Sequence, residues 1–260
     1  MTSAPSLDEM HALYCLALGR VAALGPEGCA ERVGPWLCID AGLGISKFNV
    51  AAVVDSVTRP RSALREAMDW FEARGINARL DLRGSADGAI LAAAMVEGFN
   101  FWGREPAMVL HPLPRELRPP PPELTMVEVR TDAEIDHYCA TDREEFGDQD
   151  FQVAMAARAA EIPGVSMHLG LLDGRPVARS MGIVSGALAG VYNVYVAPSE
   201  RGRGFGKALT SAAVAAGVAV GATAACLEST ELAFPLYESL GFRRVDDYIV
   251  VGTEDPVGGR

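Results

Sequence analysis

The sequence lacks the groupings that build metal centres and disulfide frameworks. Its five cysteines, Cys15, Cys29, Cys38, Cys139 and Cys226, are odd in number and far apart, with no CxxC and no Cys/His ligand spacing. No disulfide framework and no metal site is expected from them, and reduced thiols fit a cytoplasmic setting. Basic charge is also short. The 23 Lys+Arg against 34 Asp+Glu leave a formal charge of −11, which repels a phosphate backbone and sets nucleic acid aside as a partner. The opening MTSAPSLDEMHALYC has no basic n-region and carries Asp8 and Glu9 ahead of its apolar stretch, unlike a secretory leader. Runs suited to a bilayer are missing too. The charge-free windows Ser180–Ser199 and Ala208–Leu227 are each 20 residues long, but the first is broken by Gly182, Gly186 and Gly190 and the second is Ala/Gly-rich. Neither offers the hydrophobic free energy of a span, so both read as buried core and no membrane partner is expected.

What is present is a globular composition, 49% hydrophobic and 22% charged over 260 residues, a length that favours two domains. The clearest punctuation is the run of four prolines between Arg118 and Glu123. Proline donates no ladder or helix hydrogen bond, so 118–123 reads as a stiff connector between a domain at 1–117 and one at 124–260.

Beyond the connector, Leu124–Val129 reads as a strand, and Thr131-Asp-Ala-Glu134 is a capping box opening a helix to about Thr141. A second helix is expected over Asp150–Ala160. Ser166–Leu172 and Pro176–Val184 are β-rich runs joined through Asp173-Gly174, a hairpin signal, and Leu188–Val196 supplies a third strand. A glycine-rich turn at Arg201–Gly206 leads into an Ala-rich helix, Lys207–Val220. Strand Ala222–Glu228, helix Leu232–Leu240 and strand Phe242–Val251 complete an α+β plan. The first half ends in the same rhythm: helix Ala63–Gly75, strand Asn77–Leu82, helix Asp87–Glu97, strand Phe99–Leu110. Laying Val96-Glu-Gly-Phe99 over Ser239-Leu-Gly-Phe242, an offset of 143, superimposes these elements as a weak internal repeat. On that offset Arg201, Gly204, Gly206 and Tyr237 fall on Thr58, Arg61, Ala63 and Ala94, so the first copy lacks the residues that distinguish the second.

The chemistry concentrates between Val191 and Leu209. Gly202, Gly204 and Gly206 allow a sharp turn and a close ligand, while the amides of the first helical turn face one way. With the helix dipole behind and Arg201, Arg203 and Lys207 around it, the turn suits a pyrophosphate. A bland strand-to-helix connection is the competing reading. A Walker loop requires Ser or Thr after the lysine, and Lys207 is followed by Ala208; a Rossmann fingerprint belongs to a parallel sheet, and a meander precedes this turn.

Arg201-Gly-Arg-Gly-Phe-Gly206 resembles the R/Q-x-x-G-x-G/A signature of the GNAT superfamily of acyl-CoA-dependent N-acyltransferases. Phe234-Pro-Leu-Tyr-Glu-Ser-Leu-Gly-Phe242 resembles the family's LYxxxGF box, at the family's separation. The resemblance covers about 124–252, with the half-repeat extending it over roughly 36–112. It implies the three-layer GNAT fold, with a mixed, mostly antiparallel central sheet flanked by helices, in two tandem copies of which the N-terminal one is degenerate.

The resemblance further implies acetyl-CoA as cosubstrate. Val194, Tyr195 and Val196 would offer backbone to the pantetheine arm, and the amides of Arg201, Gly202, Arg203, Gly204, Phe205, Gly206 and Lys207 would hold the pyrophosphate. Tyr237 would be general acid to the leaving thiolate and the Val196 N–H would meet the oxyanion. Tyr237 by itself also reads as a core aromatic, as Phe234 and Phe242 do, and Arg201 and Arg203 as a solvated loop. The general base stays open among Asp142, Glu144, Glu145, Asp148, Glu228 and an ordered water, each carboxylate also reading as a surface charge. His168 reads as structural and Cys226 as a small core residue. The implied activity is N-acetylation of a primary amine on a small molecule or peptide by direct attack; a longer acyl donor and a non-catalytic acyl-CoA sensor are the alternatives. A homodimer is one oligomeric state left open.

Overall fold

A computed structural model describes residues 3–21, 27–42, 48–114, 116–117, 119–141, 143 and 156–254. The chain divides into two compact units. Unit 1 holds Met1–Leu13, Met108–Leu227 and Ala233–Arg243, and unit 2 holds Tyr14–Ala107, Glu228–Leu232 and Arg244–Arg260. This division does not follow the proline run at 118–123. The strand expected to close the C-terminal domain joins unit 2 from Arg244 on, because its partner there is a strand of the N-terminal half, pairing Tyr248 with Arg83 through Gly252 with Arg79.

Unit 1 is built on strands β6 (Leu124–Glu128), β7 (Val165–Leu172), β8 (Arg175–Ser185), β9 (Leu188–Val196) and β10 (Ala224–Glu228). They lie in the order β10-β9-β8-β7-β6, antiparallel except for the parallel β9/β10 pair. The β7–β8 hairpin turns where expected. Asp173 and Gly174 have φ of 52° and 79°, the two positive values that a right-twisted two-residue turn needs. Helix α4 (Asp132–Ala140) starts at the expected capping box: Glu134 N–H donates to Thr131 Oγ1 at 3.3 Å, and Thr131 N–H donates to Glu134 Oε2 at 2.9 Å. Thr131→Ala removes one of these bonds and lowers stability by about 1 kcal/mol, readable as a shift in the urea midpoint with unchanged slope. Residues 156–160 are helical, and 150–155 of the helix expected there lie outside the described residues.

Helix α5 (Phe205–Ala219) covers one sheet face and α4 the other. The neighbouring strand residues Ser180 and Arg179 show this, since successive side chains alternate between faces. Ser180 Oγ donates to the Leu209 carbonyl of α5 at 2.8 Å, and Arg179 Nη1 to the Tyr138 carbonyl of α4 at 3.3 Å. Helix α6 (Phe234–Glu238) is shorter than the expected 232–240: Pro235 sits in its first turn and Gly241, at φ 93°, ends it.

Unit 2 repeats the plan. Strands β1 (Cys29–Val33), β2 (Trp36–Asp40), β3 (Val50–Val53), β4 (Arg79–Arg83) and β5 (Asn100–Leu110, whose end from Met108 belongs to unit 1) are joined by β11 (Arg243–Gly252) in the order β1-β2-β3-β4-β11-β5. As in unit 1, antiparallel pairs lead to one parallel pair, β3/β4. Helices α2 (Pro60–Glu72) and α3 (Gly88–Val96) follow at the offset expected from the repeat, while α1 (Leu7–Val21) precedes it. Helix α2 buries Leu64, Ala67, Trp70 and Phe71 along one stripe, each large side chain contributing about 1.5–3 kcal/mol. Among the described residues no helix is long and apolar enough to cross a membrane.

Candidate active site

Strand β9 pairs with β10 only through Leu188, Ala189 and Gly190, opposite Ala224, Ala225 and Cys226. From Val191 on, that edge of β9 has no strand partner among the described residues, while its other edge stays paired with β8 through Val196. Ala197 N–H donates to the Val177 carbonyl on β8 at 2.9 Å. Amides alternate along a strand, so the N–H groups of Val196 and Val194 point to the open edge. An open strand edge offers ladder hydrogen bonds to an extended polar ligand, which fits an amide-bearing pantetheine arm.

The glycine turn follows at once. Gly202 and Gly204 have φ of 81° and 85°, and an added Cβ at Gly202 would meet nothing within 4 Å. Gly204 is the N-cap of α5 and no side chain caps that helix, so the first-turn amides of Phe205, Gly206 and Lys207 are left for a ligand. Gly206 serves another need: a Cβ there would come within 2.7 Å of Leu236 Cδ1, so its absence lets α6 close on the start of α5.

The basic side chains of the turn are mostly committed. Arg203 pairs with Glu200 and Glu123 and its guanidinium centre lies 4.8 Å from the Phe205 ring. Arg175 also pairs with Glu200, and these bonds hold the Glu200 carboxyl below its ordinary range. Arg201 Nε donates to the Val196 carbonyl at 3.1 Å. The donors of the turn that none of these side-chain contacts engages are therefore the backbone amides and, in the first helical turn, Lys207. The clamp on Glu200 was not legible in sequence, since Arg175 lies 25 residues from it and Arg203 is held in turn by Glu123, 80 residues away.

Tyr237 is 6% exposed and sits in one cluster with Val191, Ala213, Val214, Leu227 and Phe242, with Val194 packed against it. Its ring meets Phe242 edge-on at 6.0 Å. The structure thus brings Tyr237 and Val194 into one cluster and packs Val196 on Phe205 and Leu209 beside it. Glu228 goes elsewhere: it belongs to unit 2. Asp142, Glu144, Glu145 and Asp148 lie outside the described residues. His168 is 8% exposed, lies 3.2 Å from Ser166 Oγ, and burial lowers its pKa, so it is a neutral core group; Cys226 is buried in β10. Among the described residues no group of three His, Cys, Asp or Glu could hold a metal.

Residues 165–244 match the family model for the GNAT acetyltransferase domain. Comparison with curated protein sequences gives no significant match. Solved structures share the fold over nearly the whole chain. A GCN5-related N-acetyltransferase from Kribbella flavida is 20% identical with a TM-score of 0.73, covering 96% of each chain. A tandem GNAT protein from the clavulanic acid biosynthesis pathway is 15% identical with a TM-score of 0.64, covering 97% of each. A GCN5-related N-acetyltransferase from Sphaerobacter thermophilus is 14% identical with a TM-score of 0.64, covering 96% of this chain and 94% of that one. The splayed strand, glycine turn and following helix lie within the matched residues 165–244. Over residues 165–244 the chain is similar to the GNAT acetyltransferase family, and the solved structures show that it shares their fold.

Proposed function

We propose that unit 1 catalyses transfer of an acetyl group from acetyl-CoA to a primary amine on a small molecule or peptide. The observation that supports this is the opening of β9 from β10 beside an uncapped, glycine-led helix start, whose open ladder edge and first-turn amides suit an extended polar arm ending in an anion. Acetyl-CoA supplies the thioester that an amine attacks, releasing a thiol. Val194 and Val196 offer backbone to the pantetheine arm, and the amides from Arg201 to Lys207 hold the pyrophosphate. The Val196 N–H stabilises the oxygen that gains charge, and the Tyr237 hydroxyl protonates the leaving thiolate. The amine's proton passes to an ordered water or to a carboxylate, with Asp142, Glu144, Glu145 and Asp148 the residues concerned.

The N-terminal copy differs at the corresponding positions. Helix α2 begins at Pro60, which has no N–H to offer, and Ala94, at the position of Tyr237, is fully buried in the unit 2 core.

Calorimetric titration with CoA and acetyl-CoA, followed by thiol release over a panel of amines, tests the proposal. Micromolar binding with release from an amine is expected. Binding without release would make unit 1 a sensor, and no binding would remove the cradle. Tyr237→Phe should keep CoA affinity near wild type while kcat falls about a hundredfold, the low end of acid–base contributions; unchanged kcat at every pH would remove the general-acid role.

A further inference from the structure

Strand β9 carries one extra residue. Between the pairs Arg179 with Tyr195 and Met181 with Tyr192, β8 has one residue and β9 has two. One of those two, Asn193, has φ of 52°, a left-handed conformation that costs a non-glycine residue energy. The bulge inverts the alternation of the strand. Ala189 and Val191 face the α5 cluster, and beyond the bulge it is Val194 and Val196 that face α5, where an unbroken strand would turn them away. The same inversion sets which amides meet the open edge.

Asn193 is held from two other elements. Its Oδ1 accepts from Arg179 Nη2 on β8 at 3.1 Å, and its Nδ2 donates to Tyr138 Oη on α4 at 3.0 Å. Arg179 Nη1 donates to the Tyr138 carbonyl, and the guanidinium centre lies 5.2 Å from the Tyr138 ring and 5.6 Å from the Tyr195 ring. Arg179 is 7% exposed and Tyr138 2%. An amide bonded at both ends within such a network has one orientation, and the backbone that bears it is fixed accordingly.

We propose that Tyr138, Arg179 and Asn193 are a positioning set through which α4 fixes the phase of β9, and with it the aim of the Val194 and Val196 amides. Its consequence for catalysis rests on the reading of β9 as the cofactor strand. The set makes helix α4 and strand β9 mechanically one piece.

The test measures amide hydrogen exchange over β7 and β9 and CoA affinity in the full chain carrying Tyr138→Phe, Asn193→Gly or Asn193→Asp. Tyr138→Phe deletes only the hydroxyl; Asn193→Gly keeps access to positive φ but removes the amide; Asn193→Asp restores the acceptor for Arg179. Exchange at 192–196 should rise about tenfold in the Phe and Gly variants, with CoA binding weakened by a similar factor, the equivalent of one lost hydrogen bond. Strand β7 should be unchanged, and Asn193→Asp should fall between glycine and wild type. Wild-type exchange in both Phe and Gly variants, or equal acceleration of β7 and β9, would overturn the proposal. A wild-type protein that binds no CoA would instead remove the cofactor reading, and the exchange data would still decide the positioning set.

Discussion

Gly204→Asp should abolish CoA binding, whereas Gly204→Asn should weaken it only modestly. The two variants have the same shape, and both side chains tolerate the left-handed region that φ 85° requires. Space is available, since an added Cβ meets only Pro121 Cγ, at 3.7 Å. Either side chain can accept from the first-turn amides of α5, so helix and fold survive. What separates them is charge. A carboxylate about 5 Å from a phosphate costs about 3 kcal/mol per phosphate charge at an effective dielectric of about 20, more than a hundredfold in Kd. The gap should narrow as salt rises, because the site is open to solvent. Affinities of the two variants within about threefold of one another at low salt would show that no anion lies on this turn.

How far the site was legible follows from the range over which each feature is encoded. The hairpin at Asp173-Gly174 and the capping box at Thr131 are local: their dihedrals and bonds involve residues at most three apart, and both appear where the sequence put them. The glycine turn is legible for the same reason, and so is α5. Strand β3 was not read, because Val50-Ala-Ala-Val53 is buried on both faces and has no alternation to betray it. Helix α1 and the β1–β2 pair were missed with it. The partner of β11 is a strand some 165 residues upstream, at Tyr248 and Arg83, and periodicity carries no information about which edge a strand will find. Asn193 is the sharpest case. Its composition gives no sign of a bulge, and its conformation is fixed by Arg179 and Tyr138, 14 and 55 residues away.

Unit 2 should lose stability as pH rises from about 4.5 to about 8, and Glu228→Gln should remove most of that loss. Three carboxylates meet there around one cation. Asp81, fully buried on β4, accepts from Tyr14 and from Arg79 Nε; Arg79 Nη2 lies 3.2 Å from Glu105 on β5. Glu228 joins them without an ion pair of its own among the described contacts. Burial raises its carboxyl to about 8, the charges of Glu105 and Asp81 add to the rise, and its backbone hydrogen bond and Arg79 only partly offset it. Burial raises Glu105 as well, against the pull of Arg79. The sign follows directly. A folded pKa above the unfolded 4.5 means that the folded protein keeps a proton which the unfolded chain releases, so the stabilising effect is whole below pH 4.5 and is lost as pH climbs to 8. The shift corresponds to a change on the order of 5 kcal/mol, or roughly 10–20 °C in Tm for a chain of this size. Glutamine keeps the shape and the neutral form at every pH, so Glu228→Gln should melt well above wild type at pH 8.5 and level with it at pH 4.5, with the slope that Glu105 contributes remaining. Wild type and variant melting in parallel across that range would show that Glu228 is ionised in the folded protein as it is in the unfolded chain, and that the proposed proton uptake is absent.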